Sequence, residues 1–276
     1  MSLQNILNFV FWSFSIVSYF GFRILDFIDM NNLYIVSTPI GNLQDITIRA
    51  IKILQQVDYI LTENPQKTGT LLSEIKKRYP ELCDENKHPK ILHFNEYIEN
   101  EKAYEFMNLL EKGYNVALVS EAGTPLISDP GYKLVHFALS KGIKLISVPG
   151  ASAVAAALVC SGLPTDKYFF LGFLPKTKLK KEKHLSNLKS SLEDLSRNGL
   201  NPTVIFFESP HRVLETLYVL KNVFGNIRIS LGRELTKVFE ENVSDNLSNL
   251  IAKFETSNPK GEFTVLFNLK SESHVR

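Results

Sequence analysis

Two short stretches place charged side chains directly after apolar runs. "FFESPHR" carries Glu208 and Arg212, and "GRELTKVFEE" carries Glu234 and Lys237. Charged groups that follow buried strands need partners, so salt bridges within and between the two stretches explain them as well as an active site does. Carboxylates there also suit the acceptance of a proton, and a lysine suits the stabilisation of a developing negative charge. The residues therefore predict a polar site that is either structural or catalytic.

A third stretch, "SEAGTPLISDPGY", is distinguished by its glycines and prolines. It follows "NVALVS", a run that is typical of a buried strand. Gly123 and Pro125 supply backbone shapes that other residues resist. A loop of this kind at the carboxyl end of a parallel strand is where open α/β sheets bind ligands, although a plain tight turn has the same composition. The stretch predicts either a ligand loop or an ordinary connection.

The overall composition is that of a globular protein. The 276 residues are 44% hydrophobic and 22% charged, which suits one large domain or two of ordinary size. A net charge of +2 means that any affinity for nucleic acid must come from local patches. Cys83 and Cys160 lie far apart and do not suggest a disulfide framework. Cys83, His88 and His93 are better explained as surface loop residues than as metal ligands, and we expect no metal.

Residues 1–30 form an apolar extension, and the first 22 of them contain no charged side chain. The length is marginal for a membrane helix, which needs roughly 20 apolar residues, and the flanks do not suit a secretory signal. Three interpretations are open: a membrane anchor, an extra amphipathic segment, or sequence upstream of a true start at Met30. We favour the third and expect no membrane association, because the domain that follows needs no preceding strand.

From Leu33 onward, strand-like and helix-like segments alternate. The predicted strands of the first half are "LYIVST", "DYILTE", "KILHF", "NVALVS" and "IKLISVPG". The helices between them include "ITIRAIKILQQV", whose apolar residues have helical spacing. The alternation predicts an α/β domain over residues 31–149, with a largely parallel sheet covered on both faces.

Residues 150–276 predict a second α/β domain. "GASAVAAALVCSGLP" begins a helix with Ser152 near its N-cap, and "YFFLGFLP" is typical of a strand. The run "KTKLKKEKH" follows and precedes a helix predicted over about residues 184–197. The remaining predicted elements are "TVIFFES", "RVLETLYVLKNVFG", "IRISLGREL" and "EFTVLFNL". The lysine run is either a solvated loop or a contact for phosphates.

Seven stretches in order carry a resemblance to a known family. They are "LYIVSTPIGNLQDIT", "SEAGTPLISDPGY", "VPGASAVAAALVCSGLP", "FLGFLPK", "FFESPHR", "GRELTKVFEE" and "GEFTVLF". Between Leu33 and Leu269 the chain thereby resembles the tetrapyrrole-methylase superfamily. Within it, the chain is most similar to the bacterial enzymes that methylate the ribose of cytidine 1402 in 16S rRNA. One stretch alone is a weak signal, whereas seven in order are specific.

The resemblance implies two αβα domains with S-adenosyl-L-methionine bound in the cleft between them. It also implies a cytoplasmic homodimer that acts on 16S rRNA or on the small ribosomal subunit. Glycines in the implied cofactor loops permit close backbone approach, and Thr124 offers a hydroxyl. The implied cofactor-binding residues are Pro39, Gly41, Gly123, Thr124, Pro125, Ile127, Ser152 and Ala153.

The same resemblance favours an active-site role for the charged stretches. Methyl transfer to a ribose hydroxyl depends on alignment of the reactants, and an acceptor for the hydroxyl proton helps. Glu208 and Glu234 are the implied acceptors, and Lys237 is either a base or a cation that steadies the developing alkoxide. The residues expected to contact RNA are Lys176, Lys178, Lys180, Lys181 and Arg212, with Lys183 in the same run.

Two departures from the family pattern bear on the substrate more than on the cofactor. Where the family usually has A-E-D-T-R after its second strand, this chain has "TENPQKT", which keeps Glu63 but loses the arginine. Lys67 is a candidate for that arginine's role. Glu121 replaces the usual aspartate of the third stretch, a change of one methylene.

Two other functions are open at this stage. A tetrapyrrole or other small-molecule methyltransferase would keep the fold and the cofactor but not the RNA. The lysine run argues against it, because a porphyrin-like substrate needs a pocket more than a basic flank. An inactive RNA-binding relative would have lost the chemistry through the "TENPQKT" departure. A measurement of cofactor binding separates this last function from the other two.

Overall fold

The computed structural model describes residues 32–257 and 259–270, which form two α/β halves. The first sheet contains β1 (Asn32–Val36), β2 (Tyr59–Thr62), β3 (Lys90–His93), β4 (Val116–Val119) and β5 (Lys144–Val148). Its strand order is β3-β2-β4-β1-β5, and all neighbours are parallel, which confirms the predicted parallel sheet. The N-terminal extension lies outside the described residues. In the described part of the chain, no helix is both long and apolar enough to cross a membrane.

The helices of the first half are α1 (Ile48–Gln56), α2 (Pro65–Arg78), α3 (Glu96–Glu111) and α4 (Tyr132–Ser140). Capping side chains fix where the first three begin. Thr47, Asn64 and Asn95 each accept a hydrogen bond from a backbone amide in the first turn of α1, α2 and α3, respectively. Because each helix runs back between two parallel strands, the loops after the strands gather at one edge of the sheet.

Helices cover both faces of the first sheet, as its strand pattern requires. Along β1, Tyr34 and Val36 belong to one apolar cluster, and Leu33 belongs to another on the opposite face. Leu54 of α1 joins the first cluster, whereas Leu110 of α3 joins the second. With both faces covered, ligands have access only at the sheet's edges.

The second half is built on a mixed sheet. In chain order its elements are α5 (Ala153–Cys160), β6 (Tyr168–Phe173), α6 (Lys178–Arg197), β7 (Thr203–Glu208), α7 (Val213–Phe224), β8 (Arg228–Arg233), β9 (Glu241–Asn246), α8 (Leu247–Thr256) and β10 (Phe263–Phe267). The strand order is β6-β7-β10-β8-β9, in which β6 and β7 are parallel and the other pairs antiparallel. The sequence analysis did not predict β9 or α8.

Helix α6 begins at Lys178, so the prediction of a start near residue 184 is wrong. The lysine run is therefore mostly helical. The physical reason is a buried stripe that begins at Lys181 and continues through Leu185 and Leu192 at helical spacing. Packing of this stripe against α7 stabilises the early turns, even though their lysines face the positive end of the helix dipole.

An apolar cluster joins the two halves. Helix α5 follows the first sheet but packs on the second, where Ala157 and Leu158 belong to one apolar cluster with Ile205 and Leu266. Ile40 of the first half belongs to the same cluster. The loops after β1 and β8 also meet, since the backbone amide of Asn42 donates to Thr236 Oγ1 over 3.0 Å. These contacts place the carboxyl edge of the first sheet against the second half.

Candidate functional site

A cavity of about 360 Å³ lies between the halves, where loops from both meet. Five of the predicted cofactor-binding residues line it: Gly123, Thr124, Ile127, Ser152 and Ala153. The second half contributes Phe173, Phe207 and Lys237. One space is thus surrounded by the loop after β4, the start of α5 and the loop after β8. The first two segments carry residues that were predicted to bind the cofactor.

A second cavity of about 400 Å³ lies beside the first, and the walls of both include Ile40, Glu121 and Lys237. Pro39 and Gly41, which were predicted to bind the cofactor, line this second cavity instead. Pro125 was also predicted to bind the cofactor, but it is not among the described residues that line either cavity. The predicted cofactor set is therefore divided between two adjoining spaces.

The loop after β4 is fixed to the loop after β1. Thr38 and Gly123 exchange a pair of backbone hydrogen bonds of 2.9 and 3.0 Å, and Thr124 Oγ1 lies 3.0 Å from Ser37 Oγ. Gly123 has a φ of +89°, and a Cβ there would lie 3.2 Å from Ile40 Cγ2. Glycine is required at this position by both its conformation and its surroundings.

Asp129 lies in the same loop and lines the first cavity, a placement that the sequence analysis missed. Burial raises the pKa of its carboxyl to about 7, and the negative charges of Glu63 and Glu121 add to the effect. A hydrogen bond with Ser120 works in the opposite direction. The signal for this placement was an acid within a turn-rich stretch at the carboxyl end of a strand.

Lys67 pairs with Glu121, and both residues line the second cavity. The hydrogen bond from the Lys67 ammonium lowers the pKa of Glu121, although both side chains are substantially exposed. Burial raises the pKa of the neighbouring Glu63, and the charge of Glu121 adds to it. Asn64 caps α2 and Pro65 occupies its first turn. The "TENPQKT" departure thus forms a helix start that brings Lys67 to Glu121.

The carboxylate of Glu208 is buried and held by donors on both oxygens. Its Oε1 accepts from the Ser209 amide over 2.9 Å, and its Oε2 accepts from Thr216 Oγ1 over 2.6 Å. Arg212 Nε and Lys181 Nζ lie 3.3 and 3.9 Å from the two oxygens. This geometry does not support the hypothesis that Glu208 accepts a hydroxyl proton, because both oxygens are already engaged in binding this end of β7 to α6 and α7.

Lys181 is fully buried, so the prediction that it contacts RNA is wrong. Its ammonium donates to Glu215 Oε1 and to Thr216 Oγ1, each over 2.8 Å. The other lysines of the run, Lys176, Lys178, Lys180 and Lys183, are exposed, and their contact with RNA stays a prediction.

Arg212 is largely engaged with its own chain. Its Nη2 donates to the carbonyl oxygens of Leu174 and Pro175 over 2.8 and 3.1 Å. These two hydrogen bonds fix the segment between β6 and α6, which leads into the lysine run. A contact between Arg212 and RNA also stays a prediction.

Lys237 lines both cavities and is bonded to two acids. Its ammonium donates to Glu234 Oε1 over 2.9 Å and to Glu262 Oε2 over 3.2 Å. Partial burial opposes its charged form, but these bonds outweigh burial and raise the pKa of Lys237. The lysine therefore stays protonated at neutral pH, which favours the predicted role of a stabilising cation over that of a base.

Glu234, the other predicted acceptor, is bonded to the backbone as well as to Lys237. Its Oε1 also accepts from the amide of Glu262 over 3.0 Å, and the Lys237 bond lowers its pKa. The residue has a φ of 47°, and Thr236 has a φ of 64°. In the described part of the chain, Glu234 is not among the residues that line the first cavity. Its role as an acceptor stays a prediction.

Taken as a whole, the first cavity has aromatic and aliphatic walls with a few charged groups among them. Its lining includes Glu121, Asp129, the buried Glu208, Glu262 and the cation Lys237. Such a space suits a flat, partly apolar ligand that carries positive charge. Residues 32–257 and 259–270 hold no group of three or more histidine, cysteine, aspartate or glutamate side chains that could bind a metal ion.

Comparison with known proteins gives a consistent family. The family model described as Tetrapyrrole (Corrin/Porphyrin) Methylases matches residues 32–251. A protein of Thermotoga maritima is 40% identical over 241 residues, which cover 87% of this chain and 100% of that protein. A protein of Pasteurella multocida is 44% identical over 229 residues, covering 80% of this chain and 74% of that one. Both are named ribosomal RNA small subunit methyltransferase I.

Solved structures share the fold at much lower identity. Cobalt precorrin-4 methyltransferase, a cobalamin biosynthetic enzyme, superimposes with a TM-score of 0.58 at 17% identity, covering 85% of this chain and 93% of that one. Diphthine synthase superimposes with a TM-score of 0.59 at 16% identity, covering 85% and 89%. At these identities the likeness shows the architecture alone.

Proposed function

We propose that this chain, which belongs to the tetrapyrrole (corrin/porphyrin) methylase family, methylates a ribose 2′-hydroxyl of 16S rRNA with S-adenosyl-L-methionine as the methyl donor. The expected acceptor is cytidine 1402. The observation that carries the proposal is the 40% identity that extends over the full length of the Thermotoga maritima relative. That relative is a ribosomal RNA methyltransferase by name, whereas cobalt precorrin-4 methyltransferase resembles this chain only in fold.

The residues around the first cavity fit the proposed donor. S-adenosyl-L-methionine combines an adenine ring with a sulfonium and an ammonium group, and it supplies an activated methyl group when bound. Phe173 and Phe207 give flat apolar walls. Gly123 lets the backbone approach closely, while Glu121 and Asp129 bring negative charge to a cationic ligand.

The acceptor RNA is proposed to approach from the lysine-rich side. Lys176 follows the cavity residue Phe173 by only three positions, and the first turn of α6 holds no acidic side chain that would neutralise its lysines. Exposed lysines at this place favour binding of phosphates. Lys237 stays protonated in the wall shared by the two cavities, where it would steady negative charge on the attacking oxygen.

Mapping of ribose methylation by primer extension tests the function directly. With RNA from cells that carry the gene, reverse transcriptase is expected to stop next to cytidine 1402 when the nucleotide concentration is low. Deletion of the gene should remove the stop, and the wild-type gene should restore it. A stop that persists after deletion would overturn the assignment of this nucleotide. If RNA from the deletion strain lacks a methyl group on a base and not on a ribose, the proposal that the 2′-oxygen is the methyl acceptor would be overturned.

Further measurements address the remaining parts of the proposal. Calorimetric titration with S-adenosyl-L-methionine should show binding with one site per chain, and a protein that binds RNA but not the donor would be the inactive relative. Light scattering in solution should give the mass of a homodimer. Fractionation of cells should place the protein with the ribosomes in the cytoplasm.

A further inference from the structure

We propose that Asp129 is the catalytic residue that accepts the proton of the attacking hydroxyl. The inference rests on the proposed function and names the group that performs its proton transfer. Asp129 lines the first cavity, in the loop that also carries Gly123 and Thr124. Glu208 also lines this cavity, but both of its oxygens already accept hydrogen bonds within the chain. Glu234 is bonded to Lys237 and to the Glu262 amide.

The backbone that presents Asp129 is held in an unfavourable shape. Leu126 and Ser128 have φ values of 71° and 70°, a conformation that side chains other than glycine rarely adopt. Each such residue destabilises the fold and persists only where the surroundings determine its conformation. An observed strain of this kind, directly before an acid in a cavity wall, is typical of a functional loop.

Contacts from both halves of the molecule hold this loop in place. A Cβ at Gly172 of β6 would lie 3.0 Å from Ser128 Oγ, so the loop packs closely on the second half. A Cβ at Gly131 would lie 2.6 Å from Leu118 Cδ2, so the loop is also tight against β4. Two close backbone approaches thus position Asp129.

The charged groups around Asp129 tune its acidity. Glu63 at the end of β2 and Glu121 after β4 both disfavour its ionised form, and partial burial does so more strongly, which raises the pKa of Asp129 to about 7. Lys67 of α2 forms an ion pair with Glu121, and the charge of His93 in β3 lowers the pKa of Glu63. From the second half, Glu208, Lys237 and Glu262 line the same cavity. A general base works best when its pKa lies near the working pH.

The proton transfer balances without any further reactant. The hydroxyl oxygen forms a bond to the methyl carbon, and the sulfonium–methyl bond breaks with its electron pair staying on sulfur. The hydroxyl proton passes to the Asp129 carboxylate and then to solvent. Lys237 keeps its own proton throughout and stabilises the charge on the oxygen.

Asp129→Asn is the test, because it keeps the size and removes the proton acceptor. The methylation rate of a 16S rRNA fragment should fall at least about 100-fold, the lower range for loss of general-base catalysis. The affinity for S-adenosylhomocysteine, measured by calorimetry, should change less than about twofold. Asp84→Asn, in an exposed loop, is the matched control and should leave both quantities unchanged. A parallel fall in affinity would make Asp129 a ligand of the cofactor's ammonium and overturn the inference.

The pH profile gives a second arm. The wild-type rate should rise as pH increases through about 7, where Asp129 ionises. Glu63→Gln removes a neighbouring negative charge and should move this rise to lower pH. A profile that Glu63→Gln leaves in place would contradict the role of Asp129. If the wild-type protein methylates no RNA at all, the proposed function fails instead, so the two failures are distinguishable.

Stability supplies a readout that needs no activity. Because the pKa of Asp129 is raised in the folded state, its stabilising contribution is present at low pH and is lost as pH rises through about 7. Asparagine has no acidic proton to lose, so it gains no buried charge as pH rises. The urea midpoint of Asp129→Asn should therefore exceed that of the wild type at pH 8 and match it near pH 4. A variant that is less stable than the wild type at both values would assign Asp129 a structural role.

Discussion

Acidic side chains come to the cleft from both halves of the molecule, in opposite electrostatic surroundings. In the first half, the charges that act on Asp129 are those of Glu63 and Glu121, which are also acids. In the second half, Glu208 is buried between Lys181 and Arg212. Burial and these two charges raise the pKa of Asp129 to about 7, whereas Glu208 is surrounded by cations and hydrogen-bond donors.

This difference separates chemistry from support. A carboxyl near acids, in a strained loop, is costly to the fold and is retained where its reactivity is useful. A buried carboxylate with two cations stabilises its surroundings only while all partners are present. We infer that the loop after β4 performs the reaction and that the network around Glu208 holds the opposite wall of the cleft.

The largest effect is expected from a substitution at Gly123, which would distort the proposed cofactor loop of the first half and lower its affinity for the methyl donor. Gly123→Val should reduce affinity for S-adenosyl-L-methionine at least about 100-fold, since a side chain there is disfavoured by φ and crowds Ile40. Calorimetry measures the loss. Gly142→Val is the control, because Gly142 has a φ of +70° with nothing within 4 Å of an added Cβ. Equal affinities for the two variants would remove the loop from the site.

The next effect tests the support network of the second half. Lys181→Met leaves Glu208 and Glu215 without their shared ammonium, and loss of one partner of a buried pair costs about 3 kcal/mol. Urea unfolding measures the loss, and the exposed Lys183→Met should cost less than about 0.5 kcal/mol. The double variant with Glu208→Gln should recover much of the loss. A single variant as stable as the wild type would show that the network supports nothing.

Sequence patterns predicted the sheet of the first half and the turn-rich loop after β4 that carries Gly123. They predicted these features because turn residues and buried strands are local signals, and the carboxyl edge of a parallel sheet follows from the strand order. The five predicted cofactor-binding residues that line the cavity, Thr124 among them, were implied by the family resemblance. Strand β9 was missed, since "ENVSDN" has no apolar alternation and exists as a strand because six of its residues pair with β8.

The role of Lys181 was missed for a different reason. As one lysine among five, it has no local feature that separates it from its exposed neighbours. The helical spacing to Leu185 and Leu192 was a signal, but it becomes decisive only once α6 is known to begin at Lys178. The raised pKa of Asp129 results first from burial and then from the charge of Glu63. Glu63 lies 66 positions away in the sequence and comes close only through the strand order β2-β4.

A smaller effect is expected from the exposed lysines, which belong to the second half but not to its buried network. Replacing Lys178, Lys180 and Lys183 together by glutamine should weaken binding of a 16S rRNA fragment about tenfold and reduce the salt slope by about 2. Affinity for the methyl donor should not change. Lys87, Lys112 and Lys144, which flank the opposite edge of the first sheet, form the matched control. Equal salt slopes for both triple variants would return the run to a solvated surface.

The smallest effect on stability is expected at Lys67, which pairs with Glu121 much as Lys181 pairs with Glu215. The side chains of Lys67 and Glu121 are 65% and 39% exposed, so solvent screens the pair and Lys67→Met should cost at most about 0.5 kcal/mol. Its effect on chemistry should be larger than its effect on folding. Loss of the cation leaves the charge of Glu121 unopposed near Asp129, which raises the pKa of Asp129 further. The rise of the rate with pH should then move to higher pH, opposite to the shift for Glu63→Gln. A variant that loses several kcal/mol without moving the profile would place Lys67 among the supports and erase the contrast between the two halves.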